Sequence, residues 1–258
     1  LSVLDRTVTA AGARLLRRWV SAPLAQRAAI LDRQEAVARL VEDAKLRRAC
    51  RTALRTVYDL ERLSARVAAG RANARDALSI SQSLETLPGL RAALLGAPGQ
   101  LGTIREELDP LEDLRTLLER ALPPEPALSL TEGGLLRDGF DPELDRMRVL
   151  LRNGDAWLER FEAEESARTL IPSLKVSRHR VFGFLIDVTN THRDKVPADY
   201  ARRQTLKSAE RYTSARLQAH EAEVLKAERD SAGRESALFL EIRETLAAVL
   251  PRLGVTTK

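Results

Sequence analysis

The sequence predicts a mainly α protein: a helical bundle, two long antiparallel helices leaving it, and a small basic β tip between them. Three observations predict this. Leu, Ala, Arg and Glu, all good helix formers, dominate the chain, and aromatic residues make up only 4% of it. Apolar residues recur at helical spacing along most of its length. One short stretch, Val181 to Thr189, alternates β-branched and aromatic residues at period two instead.

The elements follow in order. Residues 10–20 read as a short helix stopped near Pro23. Ile30, Leu31, Val37, Leu40 and Val41 mark a second helix, and Leu54, Val57, Leu60, Leu63 and Val67 carry a third pattern from Leu46 to Gly70. Leu78, Leu84, Leu87 and Leu90 predict another helix, with a break at Pro88-Gly89. Leu111, Leu114, Leu117 and Leu118 predict one more. These suit a bundle of antiparallel helices. Leu122-Pro123-Pro124-Glu125-Pro126 is a stiff linker, and Asp141-Pro142 is a natural start for a long helix to about Arg168.

Phe182, Phe184, Ile186 and Val188 share one strand face, and Leu174-Lys175-Val176 can pair with that strand as a hairpin. Arg202 to Thr213 mixes strand and turn residues. From Ser214 to Leu250 the chain returns to helix. Leu217, Val224, Ser231, Leu238 and Thr245 are spaced by seven, beside Glu221, Glu228, Glu235, Ile242 and Val249. The charged middle of this stripe cannot be buried on a wide face. It suits one arm of a narrow helix pair, partnered by the 142–168 helix. Such a helix extends about 50 Å.

Charge is concentrated. The chain carries a net +5, and residues 171–216 hold ten Lys or Arg against four Asp or Glu. The excess positive charge therefore sits in one segment, which suits either a phosphate backbone or a solvated basic surface. No apolar run reaches membrane-spanning length. Cys50 is the sole cysteine, so no internal disulfide can form, as expected in a reducing compartment. His179, His192 and His220 lack ligand-like spacing, so no metal site is expected. Asp and Glu fall on helix faces as charge pairs with Arg, no nucleophile–base pair stands out, and no enzyme activity is expected. The chain begins at Leu1 rather than Met, which reads as a piece of a longer protein.

Several motifs carry a family resemblance. They are Ser2-Val3-Leu4-Asp5-Arg6-Thr7-Val8-Thr9, Gly12-Ala13-Arg14-Leu15-Leu16-Arg17-Arg18-Trp19, Arg33-Gln34-Glu35-Ala36-Val37, Asp59-Leu60-Glu61-Arg62-Leu63 and Gly139-Phe140-Asp141-Pro142-Glu143-Leu144-Asp145. The longest runs from Val196 through Lys207-Ser208-Ala209-Glu210-Arg211-Tyr212. In this order, across essentially the whole chain, they resemble the bacterial MutS DNA mismatch-repair family, in its core, lever and clamp domains only.

The resemblance implies a helical core with two long antiparallel lever helices and a small antiparallel β clamp inserted at their tip. It places the core at 1–130, a linker and outgoing lever at 131–170, the clamp at 171–213 and the returning lever at 214–258. It implies that the clamp holds the backbone of double-stranded DNA without reading bases. It also implies that the parent protein is a homodimer in the bacterial cytoplasm, associated with the nucleoid and with mismatch-repair partner proteins. ATP and Mg2+ are implied for the parent protein. No cofactor is expected in this chain, which has no Gly-x-x-x-x-Gly-Lys-Ser/Thr loop. The family's mismatch-probing Phe-x-Glu has a literal match at Phe239-Leu240-Glu241. It falls in the returning helix, where Phe239 is expected to pack against the body.

The resemblance assigns Lys207 first to the DNA backbone. Its neighbour is Ser208 where the family carries Asn, so that contact is expected to be lost or water-mediated. Asn190 and Thr191 fit either a second phosphate-contacting turn or ordinary turn chemistry. Arg202 and Arg203 alternate along a strand, so at most one faces DNA directly. Arg178 and Arg180 occupy the hairpin tip, as added backbone contacts or as a solvated turn. Arg211 fits a structural ion pair, and Tyr200, Tyr212, Trp19 and Trp157 fit packing. Two other readings suit a basic helix pair: an RNA-binding helical arm and a coiled-coil protein-interaction module.

Overall fold

The computed structural model describes residues 3–179 and 183–256. The chain divides into two compact units, Leu1–Phe140 with Glu235–Lys258, and Asp141–Arg234.

The first unit opens with eight helices: α1 (Ala10–Ser21), α2 (Arg27–Glu42), α3 (Ala44–Leu54), α4 (Leu60–Ala68), α5 (Ala74–Leu84), α6 (Leu87–Ala93), α7 (Gly99–Glu107) and α8 (Glu112–Ala121). Short polar side chains set several of the starts. Thr9, Asp43 and Asp59 accept from first-turn backbone N–H groups of α1, α3 and α4, and Asn73 with Asp76 forms a reciprocal capping box on α5.

Three boundaries differ from the periodicity. The Leu46–Gly70 pattern breaks at residues 55–59, where Asp59 starts a new helix. Pro88 lies in the first turn of α6 rather than at a break, because a missing N–H costs nothing there. α7, flanked by Pro98 and glycines, has too weak a periodicity to be anticipated.

The second unit begins with α9 (Pro142–Arg152) and α10 (Gly154–Thr169). The single helix expected over 142–168 is thus two. They meet at Asn153, whose ψ of 3° leaves the helical range, at a pair of poor helix formers, Asn153-Gly154. Four strands follow, β1 (Lys175–His179), β2 (Gly183–Thr189), β3 (Ala201–Thr205) and β4 (Ala209–Thr213), with a 3-10 segment Asn190–Lys195 after β2. The sheet is antiparallel in the order β1-β2-β4-β3. The hairpin expected from Leu174 onward is the β1–β2 pair. Val181 and Phe182, expected on the second strand, lie outside the described residues.

The chain then enters α11 (Ala215–Ala248), 34 residues long, and ends in α12 (Leu250–Thr256). One residue per turn is buried through the charged middle of α11: Ala227, Ser231 and Glu235. Among the described residues no helix is long and apolar enough to cross a membrane.

The first unit's core is aliphatic, built from Leu60, Leu63, Ile80, Leu84, Leu114 and Leu118, with Phe239 fully buried. Each such side chain contributes about 1.5–3 kcal/mol. Phe239 of the Phe239-Leu240-Glu241 triplet is thus a packing residue, while Glu241 is exposed. α1 and α2, by contrast, bury no residue, and Val20, Leu31, Val37 and Val41 are at least half exposed. A polar knot closes this unit. The Glu235 carboxylate, 2% exposed, accepts from the backbone N–H of Gly134 at 3.1 Å, Leu135 at 2.7 Å and Leu136 at 2.8 Å. Gly133 and Gly134 both take positive φ to present those N–H groups.

The second unit's core gathers Phe161, Ile171, Leu174, Phe184, Ile186, Val188, Tyr200, Tyr212, Leu217 and Val224. Phe184, Ile186 and Val188 lie on the face that period-two alternation predicts, and Tyr200 and Tyr212 pack as expected. Within it an aromatic stack links helices to sheet. Trp157 stacks on Phe161 at 5.0 Å and on His220 at 3.6 Å, and His220 stacks on Phe184 at 6.0 Å. His220 is buried, and its Nε2 has no hydrogen-bond partner among the described residues. Burial pushes its imidazole below the ordinary pKa of 6.5, against a weaker upward pull from Glu223.

The unfolded chain therefore takes up a proton at a higher pH than the folded one. Stability is full above about pH 6.5 and falls as pH drops below it toward the lower folded value. Denaturant midpoints of the wild type between pH 8 and pH 5 are expected to fall more steeply than those of His220→Phe, which keeps the stack without the charge. Parallel curves would show that His220 does not carry this dependence.

Candidate nucleic-acid interface

The β3–β4 turn and the end of β2 meet at one end of the sheet. β2 and β4 pair through Thr189↔Ala209, so the chain leaving β2 at Asn190 lies beside the turn Leu206-Lys207-Ser208. Two hydrogen bonds tie them. The Asn190 backbone N–H donates to the Ser208 carbonyl at 3.2 Å, and its side-chain Nδ2 donates to the Lys207 carbonyl at 3.2 Å. The turn is closed by Leu206 N–H to the Ala209 carbonyl at 2.8 Å. The structure thus brings together Lys207, Ser208, Asn190 and Thr191, and all four are exposed. Asn190 spends its amide on fixing the turn, while Lys207 keeps its ammonium in solvent.

The arginines divide. β3 carries a bulge: Arg202 pairs with Tyr212 and Gln204 with Arg211, leaving Arg203 without a cross-strand partner. Simple alternation of Arg202 and Arg203 is therefore lost, because the bulge inserts one residue into the strand. Arg202 reaches back to Glu210 at 3.4 Å, while Arg203 is exposed and has no ion-pair partner among the described residues. Arg178 lies within β1 opposite Phe184, not in a turn, and pairs with Glu228 at 3.1 Å. Phe184 stands six residues before Asn190 on β2, so Arg178 sits roughly 20 Å from the Lys207 turn, toward the opposite end of the sheet. Arg180 lies outside the described residues.

Arg211 forms a structural ion pair, but with Asp187 across β2 rather than with its neighbour Glu210. The pair belongs to a row across the sheet: Ser177 Oγ donates to Asp187 at 3.0 Å, Arg211 Nε to Asp187 at 2.9 Å, and Arg211 Nη1 to the Gln204 side-chain Oε1 at 2.9 Å. Behind the sheet, α10 anchors its edges. Glu162 accepts from the Val176 N–H at 2.7 Å, and the buried Glu165 accepts from the Tyr200 hydroxyl at 2.6 Å and pairs with Arg168.

Sequence reasoning missed Arg193. It lies in the 3-10 segment, is exposed, and pairs with Glu210 at 3.3 Å. The contact spans seventeen residues and joins two elements, so no local signal in the chain points to it. Among the described residues no group of three or more His, Cys, Asp or Glu side chains is placed to hold a metal.

What this end of the sheet presents is a set of exposed cations and donors on turns and at the β3 bulge, with Lys207, Arg203 and Lys195 unpaired by any carboxylate among the described residues. Such a surface can neutralise phosphates. It has no pocket of converging donors and acceptors that would read a base.

Comparison with known proteins identifies the family. The family model for MutS domain III matches residues 1–256. The DNA mismatch repair protein MutS of Symbiobacterium thermophilum is 46% identical over 254 residues, covering 98% of this chain and 29% of the relative. That of Pelotomaculum thermopropionicum is 44% identical over 255 residues, covering 98% and 30%. That of Geobacillus thermodenitrificans is 44% identical over 260 residues, covering 100% and 29%. The chain spans about 30% of the length of these curated relatives. With a family match across nearly its whole length and a mainly helical fold that carries a small four-stranded antiparallel sheet, the chain belongs to the MutS family, as its domain III.

Proposed function

We propose that this chain is the core, lever and clamp part of a bacterial mismatch-repair protein, and that its sheet holds the duplex backbone without reading sequence. The observation that carries the reading is the Asn190–Lys207–Ser208 junction, where two turns are hydrogen-bonded into one exposed, basic edge. α9 and α10 act as the outgoing lever and the first part of α11 as the returning one. The chain itself carries out no catalysis. Mismatch probing and ATP hydrolysis belong to parts of the parent protein beyond this domain, which works as a homodimer with mismatch-repair partners on the bacterial chromosome.

Backbone contacts supply affinity that depends on salt and not on sequence. Titrating the chain at low salt with a homoduplex and with the same duplex carrying one mismatch is expected to give affinities within about twofold. A clear preference for the mismatch would show base readout. Tighter binding of tRNA than of duplex DNA in competition would favour the RNA-arm reading.

A further inference from the structure

We infer that Arg193 is a further phosphate contact of this interface, and that Glu210 positions it together with Arg202; the inference rests on the backbone-holding role proposed above. Glu210 stands on β4 opposite Val188 of β2 and Thr205 of β3, one residue from the Thr189↔Ala209 pair that leads into the Asn190–Lys207 junction. Its carboxylate is 3% exposed, whereas Arg193 and Arg202 are 61% and 54% exposed. A single oxygen, Oε1, takes both guanidinium groups, at 3.3 Å from Arg193 and 3.4 Å from Arg202. The other oxygen accepts the Tyr212 hydroxyl.

The carboxylate is thus fully engaged from below, and its two cations remain open to solvent above. A guanidinium has five N–H donors; Arg202 spends one on Glu210, and Arg193 meets the same oxygen as an ion pair. The remaining donors form two exposed forks that can match phosphate oxygens, with a surplus of one positive charge over the cluster. Tyr212 and the arginines hold the Glu210 carboxyl below the ordinary carboxylate range, so it stays ionised as the anchor. Arg193 comes from the 3-10 segment and Arg202 from β3. One buried carboxylate therefore sets the spacing of two cations from separate elements.

Simple electrostatics and positioning make opposite predictions for Glu210→Gln. The substitution adds one positive charge to a surface that meets a polyanion, so charge alone predicts tighter binding. Positioning predicts weaker binding, because the forks lose their anchor. The test measures binding of the chain to a fluorescent duplex by anisotropy across a salt series, with thermal melts as a control for folding. Arg193→Ala is expected to lower affinity about threefold to tenfold and to reduce the slope of log K against log salt by about 0.9, the contribution of one phosphate. Arg193→Lys is expected to recover the slope but not the full affinity. Glu210→Gln is expected to weaken binding by roughly threefold despite its added charge.

Tighter binding by a folded Glu210→Gln would overturn the positioning role. An unchanged slope in Arg193→Ala would overturn the phosphate contact, and this variant decides the matter even where Glu210→Gln fails to fold. Wild type that binds duplex while Arg193→Ala keeps its slope refutes this inference alone. Wild type that does not bind duplex at low salt refutes the backbone-holding role and this inference with it.

Discussion

Glu235→Ala is expected to lower the stability of the first unit by about 3–5 kcal/mol, read as a drop in the denaturant midpoint at unchanged slope. The magnitude comes from what the substitution leaves behind. Three backbone N–H groups, of Gly134, Leu135 and Leu136, point at one carboxylate, and Leu135 and Leu136 are buried. Alanine cannot accept a hydrogen bond, and each N–H left without that acceptor costs about 1–3 kcal/mol. Water could satisfy part of the Gly134 donor, which is why the sum stays below the upper limit. Glu235→Gln keeps an acceptor of the same shape and is expected to lose only about 1–2 kcal/mol, the difference between a charged and a neutral acceptor. Equal losses for the two variants would show that the side chain acts by volume rather than by accepting those bonds.

Lys207→Ala combined with Arg203→Ala is expected to cut duplex affinity roughly tenfold at low salt and to lower the salt slope by nearly two phosphates, about 1.8. Both cations are exposed, and neither has a carboxylate partner among the described residues. Nothing inside the protein is disturbed by their removal, so the melting temperature should not move. The loss should be the same on every sequence, because a phosphate contact carries no base information. Arg178→Ala is the internal control. Its guanidinium is held by Glu228, near the other end of the sheet from the Lys207 turn, and its loss should leave the slope unchanged. A slope that falls with Arg178 and not with Lys207 would move the interface to the other end of the sheet.

Local chemistry made much of this molecule legible from its residues. Asp141 caps the helix that Asp141-Pro142 predicts, and Phe184, Ile186 and Val188 alternate onto the core face as period two requires. Boundaries failed where two local preferences compete. Asn153-Gly154 interrupts a helix whose apolar spacing runs on across it, and Pro88 is read as a break although it is at home in a first turn. The interface was legible in part. The turn with Lys207 and the turn with Asn190 carry their own residues, but that they are joined depends on β2 pairing with β4. The Arg193–Glu210 contact is of the same kind, a product of sheet order. A bulge at Arg203 likewise leaves no mark in composition, because it is the pairing of β3 with β4 that inserts it.

The row Ser177–Asp187–Arg211–Gln204 has an evolutionary consequence. Asp187 and Arg211 are 28% and 19% exposed, so neither can change alone without stranding a half-buried charge. Drift at one of these positions must be answered at another, and lineages should exchange them as a set, with coupled losses in double-mutant cycles. Lys207 and Arg203 have no carboxylate partner among the described residues. Under the proposed backbone-holding role their substitution is judged by DNA alone, so a single small sheet holds one group of residues that must change together and another that can change one at a time.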